Sequence, residues 1–179
     1  MPEFALRDGV ELHRIDETHV DPLYGIVIAE RARLARWLPW VQGSTREDIR
    51  EYVQHTRQQN ESGQGVQTAI VVDGRVAGVI GVHGISWPNQ STSIGYWLSE
   101  LYEGRGIITD GVRAYTDHAF RSWKLNRMEL RAAVENRRSR AVAERLGFTR
   151  EGVLRQAERV GNRCLDLVVY SALADEWPR

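Results

Sequence analysis

The sequence predicts a mixed α/β (α+β) fold whose strands are mostly antiparallel. Two runs of strand-forming residues meet at Asp73-Gly74, the strongest short hairpin signal in the chain. A second pair of strand-like runs closes the chain around a Gly161-Asn162 turn. Between them, Ile108, Val112, Tyr115, Ala119 and Trp123 recur at the spacing of an amphipathic helix.

Taken in order, Val10 to Ile15 reads as the first strand. Glu17 to about Leu38 carries Val20, Leu23, Val27 and Leu34, one helix or two in succession, ending before Pro39. Ser44 or Thr45 caps a helix running to about Asn60, with Glu47 or Asp48 completing a capping box. Its apolar face is Ile49, Tyr52, Val53 and Thr56. Val66 to Val72 and Arg75 to Ile85 flank the Asp73-Gly74 turn, and Trp87-Pro88-Asn89-Gln90 turns the chain into a strand from Ser91 to Leu98. After the long helix come a strand at Arg127 to Val134, a short helix from Ser139 to Leu146 stopped by Gly147, and the last two strands.

Composition narrows the function classes. A chain of 179 residues, 42% hydrophobic, can bury one sizeable core, so a single domain over 1–179 is expected. Lys+Arg and Asp+Glu each total 24, which excludes a general nucleic-acid binder with its large basic excess. The lone Cys164 excludes a disulfide framework or thiolate metal site within one chain, and alternation in a late strand reads it as inert core. The histidines at 13, 19, 55, 83 and 118 show no ligand spacing, so no metal is expected. No Gly-x-Ser-x-Gly elbow suggests serine hydrolase chemistry. With no apolar run of membrane length and no signal pattern, a soluble cytoplasmic protein is expected.

The most informative stretch is Ile94-Gly95-Tyr96-Trp97-Leu98-Ser99-Glu100-Leu101-Tyr102-Glu103-Gly104-Arg105-Gly106-Ile107-Ile108-Thr109. It reads as a strand, a glycine-bearing turn and a helix start, where unpaired N–H groups and the helix dipole converge on a phosphate-sized spot. A dinucleotide fold would need a third glycine where Thr109 stands and repeated strand–helix units afterwards. Glu129 is at the distance of its acidic residue but lies in a predicted strand. A second segment, Asn136-Arg137-Arg138-Ser139 through Gly147-Phe148-Thr149-Arg150-Glu151-Gly152, follows about 30 residues downstream. Its arginines at 137, 138 and 140 suit an anionic ligand.

Together, in this order, the two segments resemble the GNAT superfamily of acetyl-CoA-dependent N-acetyltransferases, closest to its Rim-type ribosomal-protein N-terminal acetyltransferases, from Leu12 to about Leu173. The first resembles the pyrophosphate loop (Arg/Gln)-x-x-Gly-x-(Gly/Ala), with departures at Glu103 and Ile108; the second resembles Asn-x-x-Ser…Gly-Phe-x-x-Glu-Gly. The resemblance implies a seven-stranded, mostly antiparallel split sheet with about four helices and one parallel pair, strands 91–98 and 127–134, splayed around the pantetheine arm. It implies acetyl-CoA as co-substrate, a homodimer, and coenzyme contacts at Trp97, Leu98, Ser99, Glu103, Gly104, Arg105, Gly106, Ile107, Ile108, Thr109, Asn136 and Arg138. Glu103 is expected to face solvent, since an inward carboxylate would repel diphosphate.

Acetyl transfer to an amine needs a neutral nucleophile, an oxyanion donor and a proton for the departing thiolate. The resemblance places the oxyanion donor near Leu98, the acid at Ser139 and the base at Glu158 within Arg155-Gln156-Ala157-Glu158. The tyrosine that many members use as acid is Ala143 here. Taken without the resemblance, Ser139 is an N-cap, Asn136 a turn-former and Glu158 an exposed strand carboxylate. Trp97 is a candidate wall of the acyl site, and Trp37 and Trp40 of the acceptor pocket; buried core is the ordinary role. An α-amine with pKa near 8 is about one-tenth neutral at pH 7, a lysine under about one part in a thousand, so a weak base favours an α-amine acceptor. The alternatives are acetylation of a small amine, such as an antibiotic or aminoacyl-nucleotide, and a coenzyme-binding module without catalysis.

Overall fold

The computed structural model describes residues 4–178. Its strands are β1 (Phe4–Arg7), β2 (Val10–Arg14), β3 (Gly65–Val72), β4 (Arg75–Ser86), β5 (Ser91–Leu98), β6 (Arg127–Ala133), β7 (Thr149–Val160) and β8 (Arg163–Leu173). The helices are α1 (Val20–Ala29), α2 (Arg31–Leu34), α3 (Arg46–Glu61), α4 (Ile107–Arg121) and α5 (Arg137–Arg145). The strands form one sheet in the order β1-β2-β3-β4-β5-β6-β8-β7, in which only β5 and β6 run parallel.

The described residues thus hold eight strands where seven were expected. The additional one, β1, pairs with β2 through an Asp8-Gly9 turn, and Gly9 takes the left-handed φ of +71° that such a turn requires. Five α-helices replace the expected four or so because the chain breaks at Glu30, whose φ of −115° and ψ of 19° end α1 before α2 begins. Thr45, rather than Ser44, caps α3, its hydroxyl and the Asp48 carboxylate each accepting the other's backbone N–H. Helix α4 stops at Arg121, so Trp123 lies beyond the helix, half-buried against the same core in which Phe120 is buried.

Each face of the sheet carries its own apolar layer. On one, Ile80, Ile94, Leu130, Val168 and Tyr170 pack with Val112, Tyr115 and Ala119 of α4 and with Val142 of α5. On the other, Ala69 and Val79 meet Leu23 and Val27 of α1, Leu34 of α2 and Ile49 and Val53 of α3. Strand alternation sorts β5 accordingly: Ile94, Tyr96 and Leu98 face α4 and α5, and Trp97 faces α1–α3. A Cβ on Gly111 would come within 2.8 Å of Ile80 Cδ1, so glycine there lets α4 lie close on the sheet.

Candidate active site

The parallel pair holds only from Ser91–Arg127 to Ile94–Leu130; beyond that β5 and β6 part. Ladder geometry shows what lines the opening. The Ser99 N–H donates to Ala77 O at 2.7 Å, and Ser99 and Ala77 directly continue the β4–β5 register. Antiparallel pairs alternate between bonded and non-bonded, so Gly78–Leu98 and Ile80–Tyr96 are non-bonded and the peptide groups of Tyr96 and Leu98 point away from β4 into the split. Across it, Val134 N–H donates to Asp166 O at 2.9 Å, which by the same alternation turns the amides of Arg131 and Ala133 into the split from β6. Two strand edges, carrying the amides of Tyr96, Leu98, Arg131 and Ala133, therefore open onto the split at a spacing that suits an extended amide-bearing ligand, with the Leu98 carbonyl taken by Arg33 at 2.8 Å.

Above the split, the turn runs from Glu103 into α4. Gly106 is the N-cap, in the left-handed region at φ 77°, ψ 0°, and no side chain caps the helix, so the first-turn amides of Ile107, Ile108 and Thr109 have no helical acceptor. Cations gather here. Arg7 of β1 donates to Arg105 O at 2.5 Å and pairs with Asp110 at 3.2 Å, Arg145 donates to Thr109 Oγ1 at 3.0 Å, and Arg105 lies over the Tyr102 ring. Ile107 is buried, leaving only its backbone for a ligand.

Glu103 does not face solvent. It is half-buried between Arg33, at 2.8 Å, and Arg138, with which it also forms an ion pair. Two guanidiniums offset the charge expected to drive it outward. Nor does Ser99 face the split: its amide is bonded to Ala77 and its hydroxyl donates to Glu30 at 2.5 Å.

Helix α5 begins two residues earlier than expected. Its N-cap is Asn136, whose side chain accepts the Ser139 N–H at 3.2 Å, so Ser139 is the third helical residue and not the cap. Its hydroxyl lies 3.0 Å from Tyr96 Oη, which reaches over the split from β5. Burial, partly offset by the Ser139 hydrogen bond, pushes the Tyr96 phenol up to about 12, so it stays protonated at neutral pH. Ala143, one turn further on, is fully buried.

Glu158 sits on the other side of the sheet. A bulge takes the register from Leu154–Leu167 to Glu158–Leu165, with Gln156 at φ +49° and its amide donating to Asp166 at 2.7 Å. Directly opposed residues share a face, so Glu158 sides with Leu165, Leu167 and Val160, which pack on Trp37. Burial raises the Glu158 carboxyl above its ordinary value. Trp97 lies on the same face, its ring 6.3 Å from that of Trp40. Cys164 is exposed beside the β7–β8 turn, contrary to its reading as core. The described residues contain no cluster of His, Cys, Asp and Glu able to hold a metal ion.

The sequence pattern of the acetyltransferase (GNAT) domain matches residues 10–149. The chain belongs to the GNAT acetyltransferase family. It is an N-acetyltransferase using acetyl-CoA, and its open strand edges and uncapped helix start fit the pantetheine amides and the diphosphate of that coenzyme. It is 34% identical over 169 residues to the ribosomal-protein-serine acetyltransferase of Escherichia coli (strain K12), covering 94% of each chain. It is 33% identical to YdaF of Bacillus subtilis (strain 168) over 96% of this chain and 95% of that one. Among solved structures, RimL, a ribosomal L7/L12 α-N-protein acetyltransferase in complex with coenzyme A, superposes with a TM-score of 0.93 at 31% identity, covering 98% of this chain and 99% of that one.

Four residues at this site escape sequence reading: Tyr96, Arg33, Glu30 and Arg7. Strand alternation from Ile94 and Leu98 would have placed Tyr96 on the α5 face. The Glu30–Arg33 spacing marks a helical ion pair, but nothing in it points to Leu98 or Glu103, some 65 to 70 residues away.

Proposed function

We propose that this acetyltransferase modifies the N-terminal α-amine of a protein, a ribosomal protein in the first instance, by direct attack in a ternary complex. One observation carries the proposal: Ser139 and Tyr96 meet on the α5 face of the sheet, while Glu158 lies on the opposite face, that of Trp37 and Trp97. Coenzyme and amine can therefore meet through the sheet with an acid on one side and a base on the other. The names of the relatives, acting on ribosomal-protein termini, support the acceptor class.

Acetyl-CoA, when bound, supplies the activated acetyl thioester. The Leu98 N–H, directed into the split, is placed to donate to the developing oxyanion. The Glu158 carboxylate takes the amine proton through water; its raised pKa suits this better than an ordinary glutamate. The Ser139 hydroxyl gives its proton to the sulfur as it leaves and regains one from water, and Asn136 and Arg138 hold the coenzyme arm at the start of α5. Exposed Cys164 takes no part. A cytoplasmic homodimer belongs to the same proposal.

The test is thiol release from acetyl-CoA with peptides matching ribosomal-protein N-termini, the same peptides with blocked α-amines but free lysines, and small amines. Turnover confined to free α-amine peptides is expected. Equal rates on blocked peptides or faster turnover of small amines would overturn the acceptor assignment, and coenzyme binding with no turnover of any amine would overturn catalysis.

A further inference from the structure

The strand end at Leu98, the diphosphate turn at Glu103 and the first turn of α5 at Arg138 belong to separate segments, yet one half-buried side chain from α2 connects them. Arg33 donates through Nε to Glu30 at 3.0 Å, through Nη2 to Leu98 O at 2.8 Å and through Nη1 to Glu103 Oε1 at 2.8 Å. The other Glu103 oxygen takes Arg138. Glu30 in turn accepts from the Ser99 hydroxyl at 2.5 Å and from the Glu100 amide at 3.1 Å. The alternating chain Glu30–Arg33–Glu103–Arg138 is neutral overall and crosses the mouth of the split.

We propose that Arg33 is a positioning residue for acetyl transfer, fixing the Leu98 peptide in the split and neutralising Glu103 beside the diphosphate cradle. Leu98 O is one of the groups that the β4–β5 ladder turns into the split, so it has no partner on β4. The guanidinium fork is a rigid donor for it and holds the peptide whose neighbouring N–H faces the reacting carbonyl. A lysine ammonium could keep the charge but not serve three acceptors in one plane. Without Arg33, Glu103 would present a half-buried carboxylate balanced only by Arg138, and both the repulsion and the diverted Arg138 would oppose diphosphate binding. The inference rests on the split as the acetyl-transfer site; its coenzyme arm is independent of the acceptor.

Acetyl-CoA affinity by calorimetry, kcat, and the unfolding midpoint are measured on the full chain for Arg33→Met, Arg33→Lys, Glu103→Gln and Arg33→Met/Glu103→Gln. Arg33→Met is expected to weaken acetyl-CoA about tenfold and to lower kcat about tenfold. In the double variant, affinity returns to within about twofold of the parent while kcat stays low, because the charge conflict is relieved and the Leu98 peptide is still unheld. Arg33→Lys keeps the affinity and loses kcat, and it decides the catalytic arm if the methionine variant fails to fold. Full kcat in Arg33→Lys, or no recovery of affinity in the double variant, overturns the proposal. A wrong acceptor assignment would instead show as a parent inactive on peptides with the affinity cycle intact.

Discussion

Replacing Tyr96 by Phe separates a side chain that orients Ser139 from one that gives up its own proton. The phenol is buried and held at about 12, so at neutral pH it is protonated and hydrogen-bonded, not ionised. Tyr96 therefore keeps its proton, and its contribution is the hydrogen bond to Ser139 Oγ at 3.0 Å. A neutral hydrogen bond is worth about 0.5–1.5 kcal/mol, a factor of roughly 2 to 12 in rate. Tyr96→Phe should lower kcat within that range and leave acetyl-CoA affinity and the shape of the pH–rate profile unchanged. Ser139→Ala should cost about 10²-fold or more, and adding Tyr96→Phe to it should cost nothing further. The assay is thiol release under saturating acetyl-CoA. A Tyr96→Phe loss as large as that of Ser139→Ala, or an additive loss in the double variant, would show that the phenol is the donor and refute the reasoning.

Other outcomes follow from the same geometry. Glu158→Gln should lower kcat by about 10²-fold or more. Because burial raises the folded-state pKa of Glu158, the parent gains stability from it at low pH and loses that as pH rises through the raised value, so the variant should unfold at a higher temperature than the parent at pH 7 but not below pH 4. Glu151 shows the opposite sign: hydrogen bonds from Arg127 and Ser171 lower its carboxyl from 4.5 to about 2. Its stabilisation is present above pH 4.5 and lost as pH falls toward 2, and Glu151→Gln should cost about 1 kcal/mol at pH 7 after discounting for an exposed side chain, read by denaturant titration. Gly106→Ala places a Cβ at φ +77°, costing about 1–2 kcal/mol of stability, and should weaken acetyl-CoA at least several-fold by calorimetry; unchanged affinity would remove the cradle.

Local chemistry explains what was readable from the chain. Asp73-Gly74 dictates a hairpin, Thr45 with Asp48 dictates a helix start, and Gly104 and Gly106 mark the turn into α4, because each is settled within a few residues by backbone sterics or capping. Asp8-Gly9 carries the same local hairpin signal as Asp73-Gly74, so β1 too is encoded within a few residues. Asn136 precedes Ser139 by the three residues a side-chain cap needs, so the true cap was equally local.

The sequence by itself determined the order of the strands and helices from β2 onward and the glycine turn before α4, since these depend on short-range periodicity and residue chemistry. Only the tertiary structure decided that Tyr96 meets Ser139 across the split, that a bulge sets Glu158 opposite Leu165 on the other face of the sheet, and that Glu103 turns inward between Arg33 and Arg138. The direction of a charged side chain is set by which opposite charge the folded chain brings beside it, and here those partners come from helices 35 to 70 residues away.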